Sequence, residues 1–210
     1  MTDPPSGATG LLVGAISYML GVCALVGPGE MALPTPCADW NLGMLLAHLS
    51  DSMADLETAI RTGNLDLERP PDHAVGDPVE ILRDRAAELL CAAYSYGGPE
   101  HFVAVGGLPV PAGLVACTGA VEIAVHGWDV SAARGRAGCE RAGCERAGCG
   151  GVRPIPAGLA TRMLRLGPLI VVGREGLFAV PVDVPAQASP GDRLVGYLGR
   201  RPGSAPMVTG

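Results

Sequence analysis

The chain has 210 residues, of which 48% are hydrophobic, so it can bury the core of one domain and lacks the composition of a disordered tail. Its formal net charge of −6 argues against a nucleic-acid-binding protein, because contact with phosphates requires a basic surface. The seven cysteines, an odd number, are not typical of a disulfide-rich secreted protein. We therefore expect a cytoplasmic location and no nucleic-acid partner.

Residues 8–26, ATGLLVGAISYMLGVCALV, contain no charged side chain and are almost long enough to span a bilayer. Two explanations are open, a membrane segment and a buried first helix. Basic residues usually flank a membrane segment, but none lies beside either end of this stretch. The sequence favours a buried helix that stops at Gly27, Pro28 and Gly29, and we expect no membrane association.

A second helix is predicted after the stretch PTPCADW, with Asp39 or Asn41 as its N-cap and Gly63 with Asn64 as its stop. Its apolar side chains recur at helical spacing, at Leu42, Leu45, Leu49, Met53, Leu56 and Ile60. A third helix starts at Asp77 as cap, with Pro78 at its first position and Glu80 three residues after the cap.

The next stretch, HFVAVGGLPVPAG, contains two short β-prone pieces and predicts a hairpin or an extended connection. A fourth helix follows from about Ala112 to Ala133. Beyond residue 153, the pattern predicts a fifth helix over 156–173, a strand-like piece over 177–185 and a short closing helix over 189–202. Four long helices joined by loops indicate a mainly α-helical bundle.

Residues 136–150, RAGCERAGCERAGCG, repeat one pentapeptide three times. The three thiols, at Cys139, Cys144 and Cys149, could bind a metal ion or act in redox chemistry. However, steps of five residues rotate a helix by about 140°, so the thiols would not share one face. We interpret the segment as an exposed low-complexity loop over 136–153, between a metal-binding bundle core over 1–135 and a C-terminal helix and extension over 154–210 that packs on the same domain.

The fourth helix carries a narrow polar stripe. Counted at about 100° per residue, four polar side chains fall in one sector: Thr118, Glu122, His126 and Asp129. Every other residue from Val115 to Val130 is apolar or glycine. A carboxylate and an imidazole four residues apart are consistent with a metal site, an acid/base pair or a solvent-facing seam. An internal stripe needs a compensating charge, which a divalent ion would supply.

His48, in the middle of the second helix, is the candidate for a third metal ligand, although a histidine at the edge of the core would look the same. Three polar residues that follow it along the same helix are weaker candidates for the site: Asp51, Ser52 and Asp55. The two remaining histidines, His73 and His101, lie in predicted loops.

Two stretches, PTPCADWNLGMLLAHL (34–49) and VEIAVHGWDVSAA (121–133), together resemble the mycothiol-dependent maleylpyruvate isomerase-like proteins, a branch of the DinB-like metal-binding four-helix bundles. The ending FAVPVDVPAQASPGDRLVGYLGRRP is similar to the C-terminal signature of a small subgroup described only as metal-binding. The resemblance covers nearly the whole chain apart from the repeat. It implies a DinB-like four-helix bundle with a short C-terminal extension containing a helix and a small strand-like segment.

The resemblance implies a divalent ion, zinc being expected, held by His48, Glu122 and His126 with one coordination position open for water or a thiolate. Mycothiol would be the thiol cosubstrate and a small electrophile the partner. The thiolate adds to a cis double bond and leaves again in the isomerase, or stays on the product in a thiol transferase. Asp129 and Thr118 would orient a ligand or accept a proton.

The isomerase is longer than this chain, and its separate C-terminal domain helps to form the active site. Its arginine-mediated substrate binding cannot be assigned here to Arg200 or Arg201, so maleylpyruvate itself is not the expected substrate. The alternative function is a non-catalytic metal-binding or ligand-binding bundle. We expect a monomer or a homodimer.

Overall fold

The computed structural model describes residues 7–37, 39–66, 68, 70, 75–96, 101–141, 151–170 and 179–202. These residues form a mainly helical fold with a small sheet, which confirms the predicted fold class. The elements in chain order are α1 Gly7–Cys23, a 3-10 helix Pro28–Glu30, α2 Leu42–Thr62, β1 Asn64–Leu65, α3 Pro78–Tyr96, β2 Phe102–Val105, β3 Leu108–Pro111, α4 Ala112–Arg141, α5 Ala157–Ile170 and α6 Pro190–Tyr197.

The helix ends follow the local sequence. Asn41 is the N-cap of α2, because its side-chain oxygen accepts a hydrogen bond from the backbone N–H of Met44 at 2.9 Å. Gly63 ends the same helix with a φ of 73°, the left-handed conformation that glycine adopts readily. Asp77 caps α3 as predicted, and its Oδ1 accepts from the N–H of Val79 at 2.8 Å.

The core lies between α1, α2, α3 and α4, whose apolar faces are buried against one another. Helix α1 contributes side chains that are almost completely inaccessible to solvent, among them Leu12 and Met19. Most of the stretch 8–26 therefore forms a buried helix, as predicted, although the helix ends at Cys23, before the predicted stop at Gly27. Within the part of the chain that the structure describes, no helix has both the length and the apolar character needed to cross a membrane.

Strands β2 and β3 pair antiparallel and confirm the predicted hairpin. The sequence did not predict β1, a strand of two residues that pairs parallel with β2 and gives the sheet order β1-β2-β3. The sheet joins the end of α2 to the start of α4, so it holds together the two helices that carry the predicted metal ligands.

Two predictions about the C-terminal half were wrong. Helix α4 continues to Arg141, so residues 136–141 are helical and not part of a loop, because Ala, Arg and Glu favour a helix. The side chain of Cys139 and residues 142–150, with Cys144 and Cys149, lie outside the described residues. Of the predicted strand-like piece, residues 179–185 form no strand, since Pro181 and Pro185 lack the N–H donors of a ladder.

That segment instead runs extended against α6, and the N–H of Val182 donates to the carbonyl oxygen of Gly196 at 2.9 Å. Helices α5 and α6 both form where they were predicted. Ser189 caps α6, and its hydroxyl oxygen accepts from the N–H of Asp192 at 3.1 Å. The segment 179–202 thus packs as an ordered C-terminal extension.

Gly127 lets α1 approach α4 closely. A Cβ atom at this position would lie 3.2 Å from the Cα of Met19 and 3.2 Å from a ring carbon of Tyr18. We expect Gly127→Val to lower the free energy of unfolding by about 2 kcal/mol, because the backbone of α1 cannot yield as a flexible side chain would. Urea denaturation followed by circular dichroism measures this loss.

The matched control is Gly138→Val, in the same helix, where an added Cβ meets nothing within 4 Å. It makes the same chemical change without the contact, so its stability should stay within about 0.5 kcal/mol of that of the parent protein. Equal losses in both variants would mean that packing against α1 is not what makes valine unfavourable at position 127.

Candidate metal centre

Helices α2 and α4 position three potential metal ligands opposite one another. On α2, Leu45 and Leu49 are fully buried and fix the rotation of the helix, so that His48 between them lies at the edge of the core. On α4, Glu122 and His126 lie four residues apart and therefore on one face. The two faces meet, as the stripe on the fourth helix and the position of His48 suggested.

One carboxylate oxygen lies between two imidazoles. Glu122 Oε1 is 3.0 Å from His48 Nε2 and 2.9 Å from His126 Nε2. About a third of the side chain of His48 and of Glu122 is exposed, whereas only 8% of that of His126 is. The three donor atoms thus lie at the boundary between the core and an open space.

Asp129 supports His126 from the opposite side of the ring. Its side chain is completely buried, and its Oδ2 accepts a hydrogen bond from His126 Nδ1 at 2.9 Å. Arg200, from the C-terminal extension, donates to the same carboxylate, from Nη2 to Oδ2 at 2.9 Å and from Nε to Oδ1 at 3.3 Å. Because Asp129 holds a hydrogen on Nδ1 of His126, Nε2 is the nitrogen that can lose its hydrogen and bind a metal ion beside Glu122 and His48.

These contacts set the protonation states of the metal-free cluster. Burial alone would lower the pKa of His126, but its hydrogen bonds with Asp129, Cys37 and Glu122 outweigh burial and raise the pKa to about 11. Burial alone would raise the pKa of Glu122, but hydrogen bonds from His126 and His48 hold it well below its usual range. The pKa of Asp129 is lowered too, since His126 and Arg200 outweigh burial.

The donor set fits a divalent ion. Zinc binds histidine nitrogen and carboxylate oxygen at about 2.0–2.2 Å, which places neighbouring ligand atoms roughly 3.3 Å apart in a tetrahedron. The donor atoms of His48, Glu122 and His126 lie within 4.8 Å of one another, so small side-chain shifts suffice. The Asp129–His126 pair also supplies the carboxylate that metal-bound histidines usually contact through their other nitrogen.

The loop before α2 adds Cys37 and Trp40 to the site, two residues that the sequence did not single out. The Thr35 hydroxyl closes this loop by donating to the carbonyl oxygen of Trp40 at 2.9 Å, and Asp39 adopts a φ of 66°. The ring of Trp40 lies 4.7 Å from that of His48, measured between centroids. The Sγ atom of Cys37 lies 3.3 Å from Asp129 Oδ2 and 3.7 Å from His126 Nδ1.

Cys37, His126 and Asp129 form a second group of donor atoms close enough for one ion. Arg200 already occupies this group, with its Nη2 3.8 Å from Cys37 Sγ and 2.9 Å from Asp129 Oδ2. A cation would be repelled by the guanidinium there. The group formed by His48, Glu122 and His126 is therefore the better metal site.

The weaker candidates lie around the cavity and not at its centre. Thr118 is exposed one turn before Glu122, and its hydroxyl donates to the carbonyl oxygen of Leu114 at 3.0 Å. Ser52 Oγ lies 3.4 Å from His48 Nε2, and Asp55 lines the cavity. Asp51 is not among the described residues that line it. His101 is exposed, far along the chain from the cluster, and His73 lies outside the described residues.

A cavity of about 1070 Å³ opens above the three ligands. Its lining includes the cluster itself, Cys37, Trp40 and Arg200, together with apolar side chains from α2, the sheet, α4, α5 and the C-terminal extension. This volume is large enough for a small molecule with a second reactant beside it. The cluster can therefore meet ligands that enter from solvent.

Local sequence patterns explain which site residues were predicted. Cys37 and Trp40 belong to the stretch PTPCADW that carried the resemblance, which was the one signal for them. Arg200 had no local signal, because it reaches Asp129 across 71 positions of the chain. Arg200, to which the sequence assigned no role, thus belongs to the site as a partner of Asp129.

Comparison with known proteins agrees with this geometry. Residues 14–131 match the family described as Mycothiol maleylpyruvate isomerase N-terminal domain. No curated protein and no solved structure matches the chain. The matched residues span more than half of the chain and include His48, Glu122, His126 and Asp129. The chain therefore belongs to the mycothiol maleylpyruvate isomerase N-terminal domain family.

Proposed function

We propose that this protein binds a zinc ion through His48, Glu122 and His126 and catalyses a reaction between a low-molecular-weight thiol, mycothiol, and a small electrophile. The observation that carries the proposal is the convergence of three donor atoms from two helices at the floor of a large cavity. The family is named after an isomerase that depends on mycothiol, which supports the choice of thiol.

A bound divalent ion would lower the pKa of a thiol and so favour the nucleophilic thiolate at neutral pH. The protein's own side chains prepare the site for that role. Glu122 contributes one negative charge, Asp129 fixes the ring of His126 through Nδ1, and Trp40 packs against the ring of His48. Two nitrogen donors and one oxygen donor leave a coordination position open, as in catalytic zinc sites.

The cavity offers space for both reactants beside the cluster. In an isomerisation, the sulfur–carbon bond forms at one alkene carbon, the remaining carbon–carbon single bond rotates, and the thiolate leaves with no net proton change. In a thiol transfer, the sulfur–carbon bond remains and a proton is added to the neighbouring carbon. Both reactions start from the same positioned thiolate, so the proposal includes an isomerase and a thiol transferase.

We expect the purified, tag-free protein to contain about one zinc ion per chain and to bind mycothiol only when zinc is present. His126→Ala should weaken zinc binding by at least about a hundredfold, because it removes a ligand together with the contact between that ligand and Asp129. Elemental analysis gives the metal content, and isothermal calorimetry gives the affinity for the thiol.

His101→Ala is the matched control, since His101 is exposed and outside the cluster. This variant should keep both zinc and the thiol. Zinc without any affinity for thiols would contradict the proposed reaction, and a zinc content unchanged in His126→Ala would contradict the ligand set.

Zinc affinity should rise with pH. With its pKa raised to about 11, His126 is protonated in the metal-free protein at neutral pH, whereas a metal ligand must be neutral. Each ion bound must therefore displace a proton, and the affinity should increase by at least about tenfold per pH unit between about pH 6 and pH 8.5. Competition with a chromophoric chelator at each pH measures this slope.

Asp129→Asn tests the cause of that slope. The neutral amide stabilises the imidazolium less than the carboxylate does, so the pH dependence should level off at a lower pH than in the parent protein. A parent protein whose zinc affinity does not change over this pH range would show that His126 is neutral before the metal arrives.

A further inference from the structure

The walls of the cavity are apolar. Helix α2, the sheet, α4 and the C-terminal extension all contribute aliphatic side chains to the lining, among them Leu56, Leu65, Val105, Val110, Leu114 and Leu198. Ser52, Asp55 and Thr118 are polar exceptions around the cavity, and the other polar side chains of the described lining lie at the floor, around the three candidate metal ligands. A ligand that reaches the floor therefore places most of its remaining surface against hydrocarbon.

Arg200 is the one arginine among the described residues that line the cavity, and the chain contains no lysine. Four of the five N–H groups of its guanidinium have partners within the protein, including one from Nη2 to Cys37 Sγ at 3.8 Å. Nε and Nη2 both donate to the carboxylate of Asp129, and Nη1 donates to the carbonyl oxygen of Leu198 at 3.0 Å. The planar face that binds a carboxylate through two parallel hydrogen bonds is thus already used by Asp129.

Apart from Arg200, the charged groups of the described lining are carboxylates and the metal site, whose positive charge is balanced once zinc and a thiolate are bound. Glu122 and a thiolate together balance the two positive charges of a zinc ion, and Asp55 adds a further carboxylate to the lining. A substrate with carboxylates would lose its hydration on entering and would find no arginine of the described lining available to pair with it. The hydration that an uncharged molecule loses is worth far less free energy.

We infer that the electrophile is an uncharged, largely apolar molecule and not a dicarboxylate such as the substrate after which the family is named. This inference rests on the proposed function, because it identifies the second reactant of the same site. Two observations support the inference: the guanidinium of Arg200 is already paired with Asp129, and the walls are largely aliphatic. The reactive carbon would lie at the polar floor, and the apolar body would lie against the walls.

The test uses three unreactive ligands built on the same four-carbon diacid, in which two, one or none of the carboxylates is an ethyl ester: diethyl succinate, monoethyl succinate and succinate, with charges of 0, −1 and −2. They are titrated into the zinc-loaded, full-length protein in the presence of saturating 2-mercaptoethanol, and binding is followed by protein NMR. We expect the diester to bind at least about tenfold more tightly than succinate, with the monoester between them.

A variant that adds an available cation should reduce this difference in affinity. Leu169 lines the cavity and is 62% exposed, so Leu169→Arg places a new charge there with little cost to folding. It should strengthen succinate binding by about tenfold. Leu169→Met controls for side-chain length, and Leu25→Arg, at an exposed leucine outside the described lining, controls for net charge; neither should improve succinate binding.

The outcomes separate this inference from the proposed function. Succinate binding as tight as that of the diester, or an equal gain in Leu169→Arg and Leu25→Arg, would overturn the inference even if zinc and the thiol bind as proposed. A diester preference that persists without any thiol binding would support the ligand class and remove the proposed reaction.

Discussion

The buried carboxylate of Asp129 is the constraint on which the site depends. Burying an unpaired carboxylate is costly by several kcal/mol, so its surroundings must compensate the charge. His126 and Arg200 do so from opposite sides, with contacts of 2.9 Å each. Because His126 must face Asp129 through Nδ1, its other nitrogen is directed to Glu122 and His48. The orientation of the metal ligand thus follows from the electrostatics of the core.

This arrangement requires α4 to be enclosed by protein. From Ala120 to Ala133, Glu122 is the one residue of α4 that is not buried. Gly127, the residue after His126, brings α1 against the helix, while α2 contributes His48 from another side. A helix enclosed in this way has polar residues only where they find a partner, as Ser131 does with the backbone N–H of Arg153, or where they meet the cavity. The polar stripe is therefore the inner wall of a site and not a solvent-facing seam.

Much of the site could be predicted because its ligands lie on regular helices. Helical periodicity placed Glu122, His126 and Asp129 in one sector, and Leu45 and Leu49 placed His48 beside the core. The same periodicity placed Thr118 in this sector, and Thr118 lines the cavity one turn before Glu122.

Contacts that depend on the tertiary structure could not be predicted from local sequence patterns. Arg200 joins Asp129 through the folding of a distant segment, and Cys37 is positioned by an irregular loop that contains Asp39 in a left-handed conformation. Strand β1 has only two residues, too few to show any alternation. Local patterns thus revealed the ligands, whereas the charges and walls around them required the fold.

The position of Arg200 changes how the family match should be understood. The matched residues end at 131, yet the buried charge of Asp129 inside them is compensated by an arginine near residue 200. The matched residues therefore do not contain all the charges that surround Asp129 and, through it, the candidate metal ligand His126. Leu198 and Gly199, next to Arg200, line the cavity as well. One short segment thus completes the charge balance around the candidate metal site and also forms part of the cavity wall, which a substrate would contact under the proposed function.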